Sequence, residues 1–319
     1  MYKLYQDSMA IVREFGKPDI FLTMTCNPEW KVIVRKISAE HQKHPDRPDI
    51  VAHVWNQKLR VLLDDLDEGV LGRLLARLYV VEFQKRGLPH AHILIVLAEE
   101  DKLRTRDLIN TLVPCEIPDE VSNPDLYETV INCMMHGPCG SQNPNCICMV
   151  DGKCFKRYPK PLVEVTRANI DKYVEVQKCR PPDKLKFKNR EYDNATANQW
   201  VVPYNPYLSQ KYNCHINIEI CTGITVVKYM YKYAYKGSDT AMLTIESVEK
   251  EREGGTRVRL EPNEIIRCLN ARYISPVEAC IRLIDNVVQG KSHSVVLLPA
   301  HLRAGHMVLV RVDEDSEEV

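Results

Sequence analysis

Two histidines, a carboxylate and a carboxamide lie close together in residues 82–97, which read Glu-Phe-Gln-Lys-Arg-Gly-Leu-Pro-His-Ala-His-Ile-Leu-Ile-Val-Leu. His90 and His92 are separated by one alanine, so on a β-strand both imidazoles point to the same face. Glu82 and Gln84 share a face of the preceding run, and either could add an oxygen ligand. Two imidazoles and one oxygen, with positions left open, suit a catalytic divalent ion. The alternative use of two such histidines is structural, as hydrogen-bonded members of a half-exposed strand. The neighbouring carboxylate favours the metal.

A second set of reactive groups lies in residues 223–237, which hold four tyrosines and three lysines and stop at Gly237. At about 100° per residue, Ile224, Val227, Met230, Tyr231, Ala234 and Tyr235 share one apolar arc of a helix. Tyr229 and Tyr233 fall opposite, one turn apart, and each is followed three residues later by a lysine, Lys232 and Lys236. A tyrosine oxygen can attack a phosphate and hold a nucleic-acid end covalently. Its free pKa is about 10, so neighbouring lysines and a polarised phosphate must assist it. Tyr231 and Tyr235, on the apolar arc, read as packing residues.

A third set is rich in sulfur. Cys133, His136, Cys139, Cys146, Cys148 and Cys154 fall within a single short segment. His136, Cys139, Cys148 and Cys154 could supply four ligands to a structural zinc; reduced thiols in a cysteine-rich loop are the alternative. Low apolar content in this segment favours zinc, because something must fix it. The basic stretch 153–160 beside it would suit a nucleic-acid backbone.

The elements that must position these groups follow from periodicity and breakers. Residues 5–15 read as a helix ending at Gly16, and 19–26 as a strand closed by Asn27-Pro28. Val51, Val54, Trp55, Leu59, Leu62, Leu63 and Leu66 recur at helical spacing. Residues 78–83 and the β-branched run 93–97 form two strands of a hairpin, with Gly87 and Pro89 marking the turn. A helix is expected over 101–112. From 114 to 198 the chain turns rich in Pro, Cys, Asn and basic residues and loses periodicity, which reads as an insertion with few regular elements. Order returns with a strand over 214–220, a helix over 223–236, a hairpin over 240–260 and helices over 262–271 and 276–288. There is no internal repeat.

The chain has 319 residues, with 43 Lys plus Arg against 43 Asp plus Glu. A net charge of zero excludes a whole-protein basic field, so nucleic-acid contact must rely on local patches at 153–160, 178–190 and 228–236. The last residues, 312–319, are acidic. No stretch is long and apolar enough for a membrane span, and no signal-peptide pattern opens the chain. Twelve cysteines in that setting argue for reduced thiols or metal ligation and an intracellular protein.

Three blocks in order carry a resemblance: Phe21-Leu22-Thr23-Met24-Thr25-Cys26-Asn27-Pro28-Glu29-Trp30, then 82–97 with its His-Ala-His, then Lys228-Tyr229 through Lys232-Tyr233 to Lys236-Gly237. The chain resembles the Helitron rolling-circle replication initiators, of the HUH endonuclease superfamily with two tyrosines. Flanking pieces, among them Met135-His136-Gly137-Pro138-Cys139-Gly140, Lys156-Arg157-Tyr158-Pro159-Lys160 and His215-Ile216-Asn217, extend the resemblance over nearly the whole chain. The resemblance implies an α+β nuclease with a central antiparallel sheet flanked by helices. Residues 1–112 would be the first part of its core, 113–200 the Cys- and Pro-rich insertion, and 201–319 the second part with the tyrosine helix. It further implies that His90 and His92 bind Mg2+ or Mn2+, with Glu82 or Gln84 completing the site. Tyr229 and Tyr233 would be the nucleophiles, and Thr23, Thr25, Asn27 and Lys228 would contact DNA. The expected activity is metal-dependent nicking and strand transfer of single-stranded DNA through a 5′-phosphotyrosine, in the nucleus. A single-tyrosine nickase and an inactive DNA-binding remnant are the alternatives.

The sequence departs from the family's full pattern. It holds no Gly-x-x-x-x-Gly-Lys-Ser/Thr phosphate loop, so a helicase would come from another chain, and the family's N-terminal extension is not in this sequence. Where an arginine cluster is expected after Tyr173, the residues are Lys178-Cys179-Arg180. A fragment or a truncated copy of a longer transposase is the expectation.

Overall fold

In the computed structural model, the described residues are 2–38, 42–83, 87–137, 139–141, 143–167, 176, 185–187, 190–192, 197–221 and 274–296. Alternation of apolar and polar residues builds the centre. In β1 (Ile20–Thr25), Ile20, Leu22 and Met24 are buried on one face while Thr23 and Thr25 turn to the other. The same period runs through β8 (Ile216–Ile220), where Ile216, Ile218 and Ile220 are buried. The hairpin strands β2 (Leu74–Phe83) and β3 (Pro89–Leu97) join these, and a short β9 (Gln289–Lys291) completes the edge. The five strands run in the order β8-β1-β3-β2-β9, and every neighbouring pair is antiparallel.

One face of this sheet carries the main core. Helix α3 (Pro48–Asp67) starts at a proline and lays Val51, Trp55, Leu59, Leu62, Leu63 and Leu66 in that core, with Val54 partly buried. That is the apolar stripe expected from the sequence. Ile33 and Ile37 of α2 (Lys31–Ser38), Leu208 and Tyr212 of α6 (Pro206–Tyr212), and Val277 and Ile281 of α7 (Pro276–Leu283) join the same cluster. Helix α1 (Tyr2–Phe15) takes the other face, where Ile11 packs with Ala76 and Val96 and Val12 packs with Phe21 and Leu94. Gly16, at φ +93, ends α1 with its N–H on Val12 O. The α+β architecture with a helix-flanked antiparallel sheet is the one the sequence implies.

Several elements differ from the sequence expectation. The helix expected over 101–112 is α4, Arg106–Leu112 only, because Thr105 caps it by accepting the Leu108 N–H; a separate 3-10 turn occupies Glu99–Asp101. The helix expected over 276–288 stops at Leu283 and yields to β9. The insertion holds a regular helix that periodicity did not reveal, α5 (Pro124–Cys133), with Leu126, Thr129, Val130 and Ile131 buried. It also holds two small ribbons, β4 (Met149–Val150) with β5 (Lys153–Cys154), and β6 (Leu185–Phe187) with β7 (Arg190–Tyr192). The elements expected over 223–236, 240–260 and 262–271 lie outside the described residues.

Candidate metal centres

Register places the first set of residues. Glu82 on β2 lies opposite His90 on β3, and His90 lies opposite Thr25 on β1. One row further along, Val80, His92, Thr23 and Asn217 align across four strands. Directly opposed residues of antiparallel strands point to the same face, so Glu82, His90, His92, Thr23 and Thr25 share the face opposite the main core. The Glu82 carboxylate Oε2 lies 3.6 Å from His90 Nε2 and 3.5 Å from His92 Nε2. The two imidazoles meet edge to face with centroids 4.6 Å apart. One ligand atom from each of Glu82, His90 and His92 falls within 4.8 Å of the others.

His92 is fixed from two sides. Its ring stacks on Phe21 at 5.5 Å between centroids, and its Nδ1 lies 3.1 Å from Thr23 Oγ1. With Nδ1–H donated to that hydroxyl, the tautomer that results leaves the Nε2 lone pair facing Glu82. On the neighbouring histidine, Nδ1 of His90 is buried with no hydrogen-bond partner among the described residues. Side-chain exposures of 18% for Glu82, 15% for His90 and 9% for His92 leave the cluster recessed but not sealed. Two imidazoles, one of them with a nitrogen not committed within the described structure, and one carboxylate can hold a divalent ion. Gln84, the alternative oxygen ligand, lies outside the described residues, as do Tyr229, Tyr233, Lys228, Lys232 and Lys236. Asn27 is occupied within the fold: its Nδ2 donates to Asn213 O at 2.8 Å and its Oδ1 accepts the Glu29 N–H at 2.9 Å.

The sulfur-rich set also converges. Ligand atoms of His136, Cys139, Cys148 and Cys154 all lie within 4.8 Å of one another. Local turns make this possible. Gly137, at φ +107, packs against the Trp200 ring, where an added Cβ would sit 3.0 Å from ring carbons. The β4–β5 ribbon turns at Asp151-Gly152, both at positive φ, which returns the chain so that the Phe155 N–H reaches Cys148 O at 2.8 Å. His136 Nε2 lies 3.5 Å from Cys154 Sγ and 3.7 Å from Cys139 Sγ. Nitrogen and sulfur ligands of one tetrahedral zinc stand about 3.6 Å apart, given Zn–N of about 2.0–2.1 Å and Zn–S of about 2.3 Å.

Protonation suits the same use at two of the four positions. Burial, with Lys156, His215 and Lys160 nearby, lowers the His136 pKa to about 4, so its imidazole is neutral at neutral pH. Burial opposes the Cys154 thiolate, but backbone N–H groups of Tyr158 and Lys156 and the thiols of Cys148 and Cys139 outweigh it, and its pKa falls below the ordinary value. Burial raises the thiols of Cys139 and Cys148 in the absence of an ion; a bound cation would reverse that by taking them as thiolates. Among the described residues every cysteine is a free thiol.

One residue beside the first centre was not among the sequence candidates. His215 precedes β8, its carbonyl accepts the Thr25 N–H at 2.9 Å, and its Nδ1–H donates to Cys133 O at 3.0 Å. The signal was present in the alternation of β8: with Ile216, Ile218 and Ile220 buried, 215 and 217 must face the histidine side.

Fold and site together define an α+β protein with a two-histidine, one-carboxylate cluster on a sheet face and a separate Cys3His cluster. Residues 1–95 match the family model described as the Helitron helicase-like domain at the N-terminus. The match makes this part of the chain similar to that domain, and it takes in Glu82, His90 and His92. It ends within β3, before the Cys3His cluster and the tyrosine block. No curated protein matches the chain. No helix among the described residues is long and apolar enough to cross a membrane.

Proposed function

We propose that this chain nicks single-stranded DNA and transfers the cut strand through a 5′-phosphotyrosine, as a nuclear enzyme of rolling-circle transposition. The observation that carries the reading is the convergence of Glu82, His90 and His92 on one sheet face within a segment similar to the Helitron helicase-like domain. A Mg2+ or Mn2+ held there would act as a Lewis acid on the scissile phosphate. His92, steadied by Phe21 and Thr23, and Glu82, opposite His90, would hold that ion at the sheet surface. Thr25, in the same row, faces the substrate side.

The nucleophile is Tyr229, on the polar side of the helix expected over 223–236. The Tyr229 hydroxyl loses its proton and its oxygen attacks phosphorus; the bond from phosphorus to the 3′ oxygen breaks, and that oxygen leaves as a protonated 3′ hydroxyl. Lys232 and Lys236 offset phosphate charge. Tyr233, one turn on, repeats the step for a second strand, and each phosphotyrosine retains the energy needed to rejoin DNA. The Cys3His cluster takes zinc as a structural ion, and the basic stretch beside it contacts the DNA backbone.

The test is incubation of the protein with end-labelled single-stranded DNA and Mn2+, followed by denaturing electrophoresis. A covalent protein–DNA band is expected from wild type, reduced at least a hundredfold in a Tyr229→Phe, Tyr233→Phe double variant. DNA binding with no covalent band under any condition would establish the inactive remnant instead.

A further inference from the structure

We infer that the Cys3His cluster braces the Glu82/His90/His92 centre through His215, so that occupancy of the first raises the metal affinity of the second. The inference rests on the metal-binding reading of both clusters. Its physical content is an unbroken set of short contacts between them. His136, of the Cys3His cluster, lies shortly past the end of α5. Its N–H bonds Trp200 O at 2.8 Å, and the preceding Met134 carbonyl takes the Val202 N–H at 2.9 Å. Met134 Sδ accepts the Ile216 N–H at 3.4 Å, and Ile218 N–H reaches Pro203 O at 3.0 Å. The segment that closes the cysteine cluster is therefore stitched to β8, an edge strand of the central sheet.

His215 is the nearest of these ties to the histidine pair. Because a carbonyl only accepts, the bond to Cys133 O fixes the Nδ1–H tautomer of His215. Its own carbonyl holds the Thr25 N–H, and Thr25 is the register partner of His90. His215 thus binds the end of α5 with its side chain and the His90 row with its backbone. The large apolar side chains of the loop itself, Ile147, Val150 and Phe155, are exposed, so an ion would add to the packing of Cys139 and Cys148 against Ile131 and Trp200 that backs the end of α5. With one, α5 ends against a closed tetrahedral site, and β8 is held where β1 and β3 need it. His215 is a positioning residue in this account, and the coupling is reciprocal.

The experiment strips the purified full chain of metal and titrates Mn2+ by electron paramagnetic resonance, with and without one equivalent of Zn2+. Zinc is expected to tighten Mn2+ binding about tenfold, the range over which supporting partners tune metal sites. His215→Ala should abolish that gain. His215→Asn keeps a donor at the Nδ1 position and should retain most of it, which a role for the imidazole Nε2 would not allow. Cys154→Ser, lacking a zinc ligand, should bind Mn2+ weakly whether or not zinc is present. If wild type binds no Mn2+ at the centre, the metal reading falls and this inference with it. If wild type binds Mn2+ equally with and without zinc, the inference alone is overturned. Should His215→Ala not fold, the zinc comparison in wild type and the Asn variant still decide.

Discussion

His92 is held by a stacked Phe21 ring and the Thr23 hydroxyl, and this arrangement leaves its Nε2 toward Glu82. Thr23 entered from the sequence as a DNA contact; the structure shows its hydroxyl beside the imidazole. Thr23→Val preserves shape and removes the acceptor, so Mn2+ affinity should fall about tenfold with the fold intact, as isothermal titration would measure. Unchanged affinity would mean that stacking alone orients the ring. The pair of histidines on one face was legible from spacing, but the side chain that meets them there was not. Glu82 and Gln84 are equivalent by alternation, and only the register that sets Glu82 opposite His90 brings its carboxylate to 3.5–3.6 Å from both rings.

At the scale of elements, the position of β8 depends on a polar clamp between α3 and α6. Asp65, 5% exposed, accepts the Tyr212 hydroxyl and the Lys211 ammonium, both at 2.6 Å. Helix α6 then ends at Asn213 in the left-handed region, whose carbonyl accepts from Asn27 and from the Trp30 indole. Asp65→Ala leaves the buried Tyr212 phenol without its acceptor, while Lys211 keeps the Tyr207 hydroxyl. A loss of about 1–3 kcal/mol is expected from the unsatisfied buried phenol. Urea unfolding measures it, and a change under 0.5 kcal/mol would contradict the clamp. Strands and the long helix were legible because their periods are uninterrupted. Helix α5 was not, because the prolines, cysteines and asparagines around it hid a single apolar stripe. The short α6 and β9 were missed because a turn or two of helix and three residues of edge strand leave too few repeats to read.

At the scale of the whole molecule, two clusters of opposite chemical preference sit on one framework. Thiolates and an imidazole suit a closed zinc site, and two imidazoles with a carboxylate suit an open one. All four residues of the Cys3His cluster were named from the sequence. It could not foresee the Asp151-Gly152 turn and the Gly137 contact with Trp200 that close the loop. The similarity to the Helitron helicase-like domain covers residues 1–95 and so bears on the open cluster, leaving the tyrosine block to be tested by chemistry. The account turns on whether Glu82, His90 and His92 share an ion. The direct measurement is an anomalous difference map from crystals soaked in Mn2+. One peak about 2.2 Å from the Glu82 carboxylate and both imidazoles is the expected result; bound manganese elsewhere, with none between these three side chains, would contradict it.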